Sequence, residues 1–181
     1  MQARSFSKTT IALHWIVGLT IIALMAIGWY MKEFKDYGLY NVHKSVGVII
    51  FAVILYRVVY RLIKGFPTPA GTSGALQAFV AKLVHWALLI GTVLFPLSGV
   101  MMSGAGGHGV YVFGVELIAK NIDAATGKTA PINETIAGLG HEIHEFLLWG
   151  IGIVLVLHIA GALKHHIIDK DITLKRMIGK A

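Results

Sequence analysis

The chain is predicted to be an all-α integral membrane protein, a bundle of four transmembrane helices. Three observations carry that prediction. Its 181 residues are 56% hydrophobic and only 14% charged, with a mean hydropathy of +0.72, too apolar for an ordinary water-soluble domain. The apolar residues gather into four stretches of about 20 residues, each long enough to cross a ~30 Å hydrocarbon core. Histidines lie inside or at the ends of all four, and ionisable side chains within a membrane are costly enough to mark function.

The first stretch, residues 9–31, follows Arg4 and Lys8 and so has the outline of a secretory signal. Its apolar part is longer than a signal core and carries His14, so we read it as a retained helix. The second, 43–63, opens on His43 and ends among Arg57, Arg61 and Lys64; the third, 80–102, has His85 near its start. The connection over 103–142 is long, with Gly104, Gly106, Gly107, Gly109 and Gly114 and an aromatic patch from Tyr111 to Phe113. Pro131 and Asn133 suit a helix start, with Asn133 as N-cap. The fourth helix is therefore expected to begin near Glu134, outside the membrane, and to cross it over 143–164. No internal repeat appears, and residues 1–181 read as a single four-helix domain.

Basic residues set the orientation. Arg4 and Lys8, then Arg57, Arg61, Lys64 and Lys82, then Lys164, Lys170, Lys175, Arg176 and Lys180 fall on one side, against Lys32, Lys35, Lys44, Lys120 and Lys128 on the other. The positive-inside rule places both termini in the cytoplasm of a bacterial inner membrane. Of the acidic residues, only Asp169 and Asp171 share that side. The net charge of +7 is thus topological: its partner is membrane lipid, not nucleic acid. The sequence has no cysteine, which excludes disulfides, thiolate metal sites and covalent haem attachment, and leaves histidine to carry any metal chemistry.

His144 and His158 stand fourteen residues apart on the fourth helix. That is ~1400°, about 40° short of four turns, so both imidazoles leave nearly one face, ~21 Å apart along the axis. One helix thereby offers an imidazole toward each leaflet, as two stacked membrane haems require. Depth pairs His43 with His144 on the outer side and His14 with His158 on the inner side. His85 and His165 also fall at the inner level, and spacing alone does not choose among them. His108, in a loop, and His141, ~100° from the His158 face, are weaker candidates. Gly18, Gly47 and Gly161 follow His14, His43 and His158 by three or four residues, where a missing side chain admits a porphyrin or simply a close helix. A proton or metal transporter is the competing class, but such proteins more often carry intramembrane carboxylates, and none lies securely inside a span here.

Several segments resemble the bacterial cytochrome b561 family. They are Leu13-His14-Trp15, Val42-His43-Lys44-Ser45-Val46-Gly47, Arg57 and Arg61, Pro67-Thr68-Pro69, Phe95-Pro96-Leu97 leading to Met101-Met102, and His144-Glu145 followed by His158 and His165-His166. The resemblance covers nearly the whole chain in order. It implies two non-covalent b-type haems, the inner on His14 and His158 and the outer on His43 and His144, with His85 and His165 at a quinone site. Arg57 and Arg61 could reach haem propionates, although snorkelling at the helix end is the simpler reading. Some family members oxidise superoxide outside the membrane and reduce ubiquinone, the activity expected here. Lys44, with Lys32 and Lys35, could steer an anion to the outer haem. The alternative is an electron conduit serving a periplasmic redox protein or an attached oxidoreductase.

Overall fold

A computed structural model describes residues 6–65 and 74–180. Arg4 and the Pro67-Thr68-Pro69 run lie outside the described residues. Four long helices dominate: α1 (Lys8–Phe34), α2 (Tyr40–Lys64), α3 (Ala75–Ala105) and α4 (Glu134–Ile167), each long and apolar enough to cross a membrane. All four overrun the apolar stretches read from the sequence, because helix ends are set by caps and propensity while hydropathy marks only the hydrocarbon zone. The Ser7 hydroxyl caps α1 by accepting the Thr10 amide at 3.1 Å. Asn133 caps α4 as expected, accepting the Ile136 amide at 2.9 Å.

The outward faces are oily. Ile63 and Phe146 are each 74% exposed and Val156 is 66% exposed, a surface that suits lipid and would aggregate in water. Inside, Val17, Ile21 and Leu24 form an i, i+4, i+7 stripe on α1 that packs on Ile50 and Ile54 of α2. The α3–α4 seam depends on Gly140. A Cβ there would lie 2.6 Å from the Met102 amide nitrogen and 3.0 Å from the Ser98 carbonyl oxygen, so only a missing side chain allows this approach.

The third connection holds strands that its glycines and aromatics did not disclose. β1 (Val110–Val112) pairs antiparallel with β2 (Val115–Ile118) across a two-residue turn. Both turn residues have positive φ, 44° at Phe113 and 94° at Gly114, the sign a tight hairpin of this twist demands. Phenylalanine is a poor residue for that conformation, so the usual Asn-Gly signal was missing. The strain at Phe113 is held by its amide donating to the Ser45 hydroxyl at 2.9 Å. Lys44 adds a charged clamp, donating to the Gly109 carbonyl at 2.8 Å with its ammonium 4.4 Å from the Tyr111 ring centre.

Contacts of that kind contribute about 1.5–3 kcal/mol for a charge-assisted hydrogen bond, and somewhat more with the cation–π contact. Lys44→Met is therefore expected to raise amide hydrogen exchange in residues 110–118 by at least about tenfold while the helices keep their protection. Unchanged exchange in the hairpin would show that Lys44 does not hold it.

At the opposite end the first and last described segments meet. A short α5 (Thr173–Met177) packs beside α1: the Trp15 indole donates to the Met177 carbonyl at 2.8 Å, and Arg176, 4% exposed, lies 4.2 Å from the Phe6 ring centre. The bundle thus has a terminal end and a hairpin end. In the α4–α5 connection, the Lys164 ammonium binds both oxygens of Asp169 at 2.8 Å and pulls that carboxyl below its usual pKa. Burial opposes the charge on Asp171, but hydrogen bonds from Thr173 and His165 outweigh it, so its pKa is lowered too. Carboxylates with depressed values stabilise the fold above their unfolded pKa of ~4 and lose that contribution as pH falls through the folded value. Docking of the tail is accordingly firm at neutral pH.

Candidate cofactor site

The helices bring five imidazoles into two groups. At the hairpin end, His43 on α2 and His144 on α4 have ring centres 6.4 Å apart. At the terminal end, His158 on α4 lies 5.9 Å from His14 on α1 and 5.4 Å from His85 on α3. A metal held between two trans imidazoles, each at ~2.0–2.1 Å, would set ring centres about 6.3 Å apart. The His43–His144 spacing is close to that value, while His14 and His85 both lie somewhat nearer than that to His158.

The surroundings of His144 prepare it as a ligand. Its Nδ1 lies 3.0 Å from the Phe95 carbonyl oxygen and 3.0 Å from the Ser98 hydroxyl, which itself donates to Phe95 at 2.7 Å. Both neighbours act as acceptors, so Nδ1 carries the proton and Nε2 presents its lone pair, the arrangement metal-ligating histidines use. Pro96 belongs to the same turn of α3; it brings no amide of its own and lines the cavity.

A cavity of about 360 Å³ opens between His43 and His144. It is walled by apolar side chains such as Leu24, Met31 and Val100, with Gly28, Gly47 and Gly99 where helices would otherwise project. A Cβ at Gly28 would stand 3.3 Å from Cε1 of His43, and one at Gly99 would stand 3.3 Å from Cε1 of His144. These glycines give the two rings room. At Gly18, Gly47 and Gly161 a Cβ would meet nothing within 4 Å, so the space beside those turns is open. The donor set, paired neutral imidazoles walled by apolar surface, suits iron in a flat macrocycle and fits haem.

The remaining histidines have other surroundings. His165 sits at the terminal end with Nδ1 2.7 Å from Asp171. His141 is exposed, 3.4 Å from the Met102 sulfur and 3.7 Å from a Glu145 oxygen, and His108 is exposed in the loop. Of the three lysines proposed to steer an anion, two are engaged: Lys32 pairs with Glu145, and Lys44 is bound to the hairpin. A local positive funnel at the hairpin end is correspondingly weak.

Ser98, Gly28 and Gly99 were missed from the sequence, yet a signal for the glycines existed. The fourteen-residue interval of His144 and His158 recurs as His14 to Gly28 on α1 and His85 to Gly99 on α3, and as His43 to Arg57 on α2. Each helix carries two marked positions on one face, a polar or open one at each end.

The chain matches a known family over nearly its whole length. The family model described as prokaryotic cytochrome b561 matches residues 5–180. The chain is 32% identical over 176 residues to cytochrome b561 homolog 2 of Escherichia coli K12, covering 94% of this chain and 89% of that protein. It is 31% identical over 180 residues to cytochrome b561 homolog 1 of the same organism, covering 96% of each. It is 26% identical over 186 residues to a probable superoxide oxidase, CybB, of Yersinia pestis, covering 98% of this chain and 97% of that protein.

Proposed function

Because the chain belongs to the prokaryotic cytochrome b561 family, a family of membrane electron-transfer cytochromes, we propose that it carries electrons across the bacterial inner membrane from superoxide to ubiquinone. The observation that carries this reading is the pairing of imidazoles at both ends of one bundle, with α4 contributing to each pair. In this reading His43 and His144 hold one b-type haem and His14 and His158 a second. Haem saturated by two imidazoles supplies one-electron transfer. The basic terminal end faces the cytoplasm and the hairpin end faces outward.

On the outer side two superoxide ions give up one electron each and leave as dioxygen. On the inner side one ubiquinone takes two electrons and two protons to become ubiquinol, with His85 and His165 lining its site. Ser98 and the Phe95 carbonyl fix the ring of His144 and keep its Nε2 free of a proton. The oily wall of the outer cavity excludes water from the electron path. The relative named a probable superoxide oxidase supports this choice of donor.

The engaged state of Lys32 and Lys44 favours a second reading, an electron conduit whose outer partner is a redox protein docking on the hairpin end. A pulse of superoxide on the purified protein separates the two. Rapid growth of a reduced b-haem band, reversed by ubiquinone, is the result expected of a superoxide:ubiquinone oxidoreductase. A spectrum that dithionite reduces and superoxide leaves oxidised would assign the protein to the conduit class, and a haem-reconstituted protein without a haem band would overturn both.

A further inference from the structure

A polar cluster at the terminal end stands apart from the imidazole pairs. His165 follows His158 by seven residues on α4, ~10.5 Å further along the axis and within ~20° of the same face. Its side chain is 21% exposed, and its Nδ1 lies 2.7 Å from Oδ2 of Asp171, itself 16% exposed. The other ring nitrogen faces α3, where the Gln77 amide nitrogen is 3.4 Å away. Asp169 is the competing carboxylate, 3.3 Å from the same Nδ1, but Lys164 occupies both of its oxygens. Asp169, Asp171 and His165 place ligand atoms within 4.8 Å of one another, yet an ammonium already neutralises one of the three, so the trio is better arranged for protons than for a cation.

Asp171 is placed with care. Its Oδ1 accepts the Thr173 amide at 2.8 Å and its own amide donates to the His165 carbonyl at 3.0 Å, which leaves Oδ2 for the imidazole. The arm that delivers it is tied to α1 through Trp15, and to Phe6 just before α1 through Arg176. A carboxylate so fixed keeps a proton on Nδ1, making Nε2 the exchanging atom, as in other carboxylate–imidazole pairs.

We propose that Asp171 is the positioning residue of a proton-delivery dyad, directing His165 to protonate a quinone from Nε2 at the terminal end. The proposal rests on the function proposed above and names how its protons arrive. For each quinone reduced, two electrons come from the one-electron donor consumed at the hairpin end. Two protons pass in turn from Nε2 of His165 to the quinone oxygens, and each time the neutral ring, proton retained on Nδ1, takes up another from cytoplasmic water. Among the described residues, Asp169, Asp171 and Gln77 meet this ring, and Lys164 is bound to Asp169.

The test uses haem-loaded protein in lipid nanodiscs, reduced with limiting dithionite and mixed with decyl-ubiquinone or with ferricyanide, an acceptor that takes no proton, over pH 5.5–8.5. Asp171→Asn is expected to lower the ratio of quinone to ferricyanide oxidation rates by at least about tenfold above neutral pH, and less in acid, with an unchanged haem spectrum. Asp171→Glu should restore most of the ratio, and nitrogen NMR of histidine-labelled ferrous protein should show His165 losing its Nδ1-protonated preference in the asparagine variant alone. A wild-type ratio and pH profile in Asp171→Asn, or equal loss in both variants, would overturn the dyad while leaving the quinone reading intact. Wild-type haem that ferricyanide oxidises and quinone does not would overturn the quinone reading and the dyad with it.

Discussion

His144→Ala should remove the proposed hairpin-end haem and leave the proposed terminal-end haem in place, lowering the haem content from about two to about one per chain and a two-wave redox titration to a single wave. His43→Ala should give the same phenotype, since the two rings face each other at 6.4 Å. His14→Ala and His158→Ala should do the reverse. Haem extraction, an optical redox titration and the low-temperature spectrum of each variant check this. The informative control is His85→Ala, which should retain both haems and slow quinone reduction. Loss of a haem in that variant, with His14→Ala unaffected, would move the terminal-end ligand from α1 to α3, a choice that His158, in contact with both rings, permits on proximity alone.

The second large effect is expected from a methyl group. Gly140→Ala forces a Cβ to within 2.6 Å of the Met102 amide nitrogen and 3.0 Å of the Ser98 carbonyl, both backbone atoms that cannot rotate away. The helices must part, at a cost of about 1–3 kcal/mol for overpacking of this kind. Ser98, on the strained side of the seam, is also the residue bonded to His144. The variant should therefore melt at lower temperature and lose hairpin-end haem in preference to terminal-end haem. Equal weakening of both haems would mean that the α3–α4 seam does not transmit strain locally.

Much of this was legible beforehand because hydropathy and helical period are properties of single segments. The four crossings, the Asn133 cap and the approach of His43 to His144 follow from length, spacing and depth; at the inner level these left both His14 and His85 open beside His158, and both rings approach it. What escaped depends on contacts between segments. The hairpin lacked a turn signal because Phe113 adopts a positive φ only with Ser45, sixty-eight residues earlier, bonded to its amide. Ser98 reads as an unremarkable small residue until His144 is seen beside it. Asp171 counted only as a charge on the basic side, since nothing in its neighbours says that α5 folds back onto α1. The steering lysines were legible as charges, but not the carboxylate and carbonyls that occupy them.

The sharing of α4 between the two imidazole pairs has a consequence for biogenesis. A nascent chain that has inserted α1, α2 and α3 already displays His14, His43 and His85, yet His144 and His158, which α4 would bring to the two proposed haems, have still to leave the ribosome. On the proposed ligands, capture of either haem waits for α4. A chain truncated within the third connection should therefore show no haem band if these ligands are the ones used.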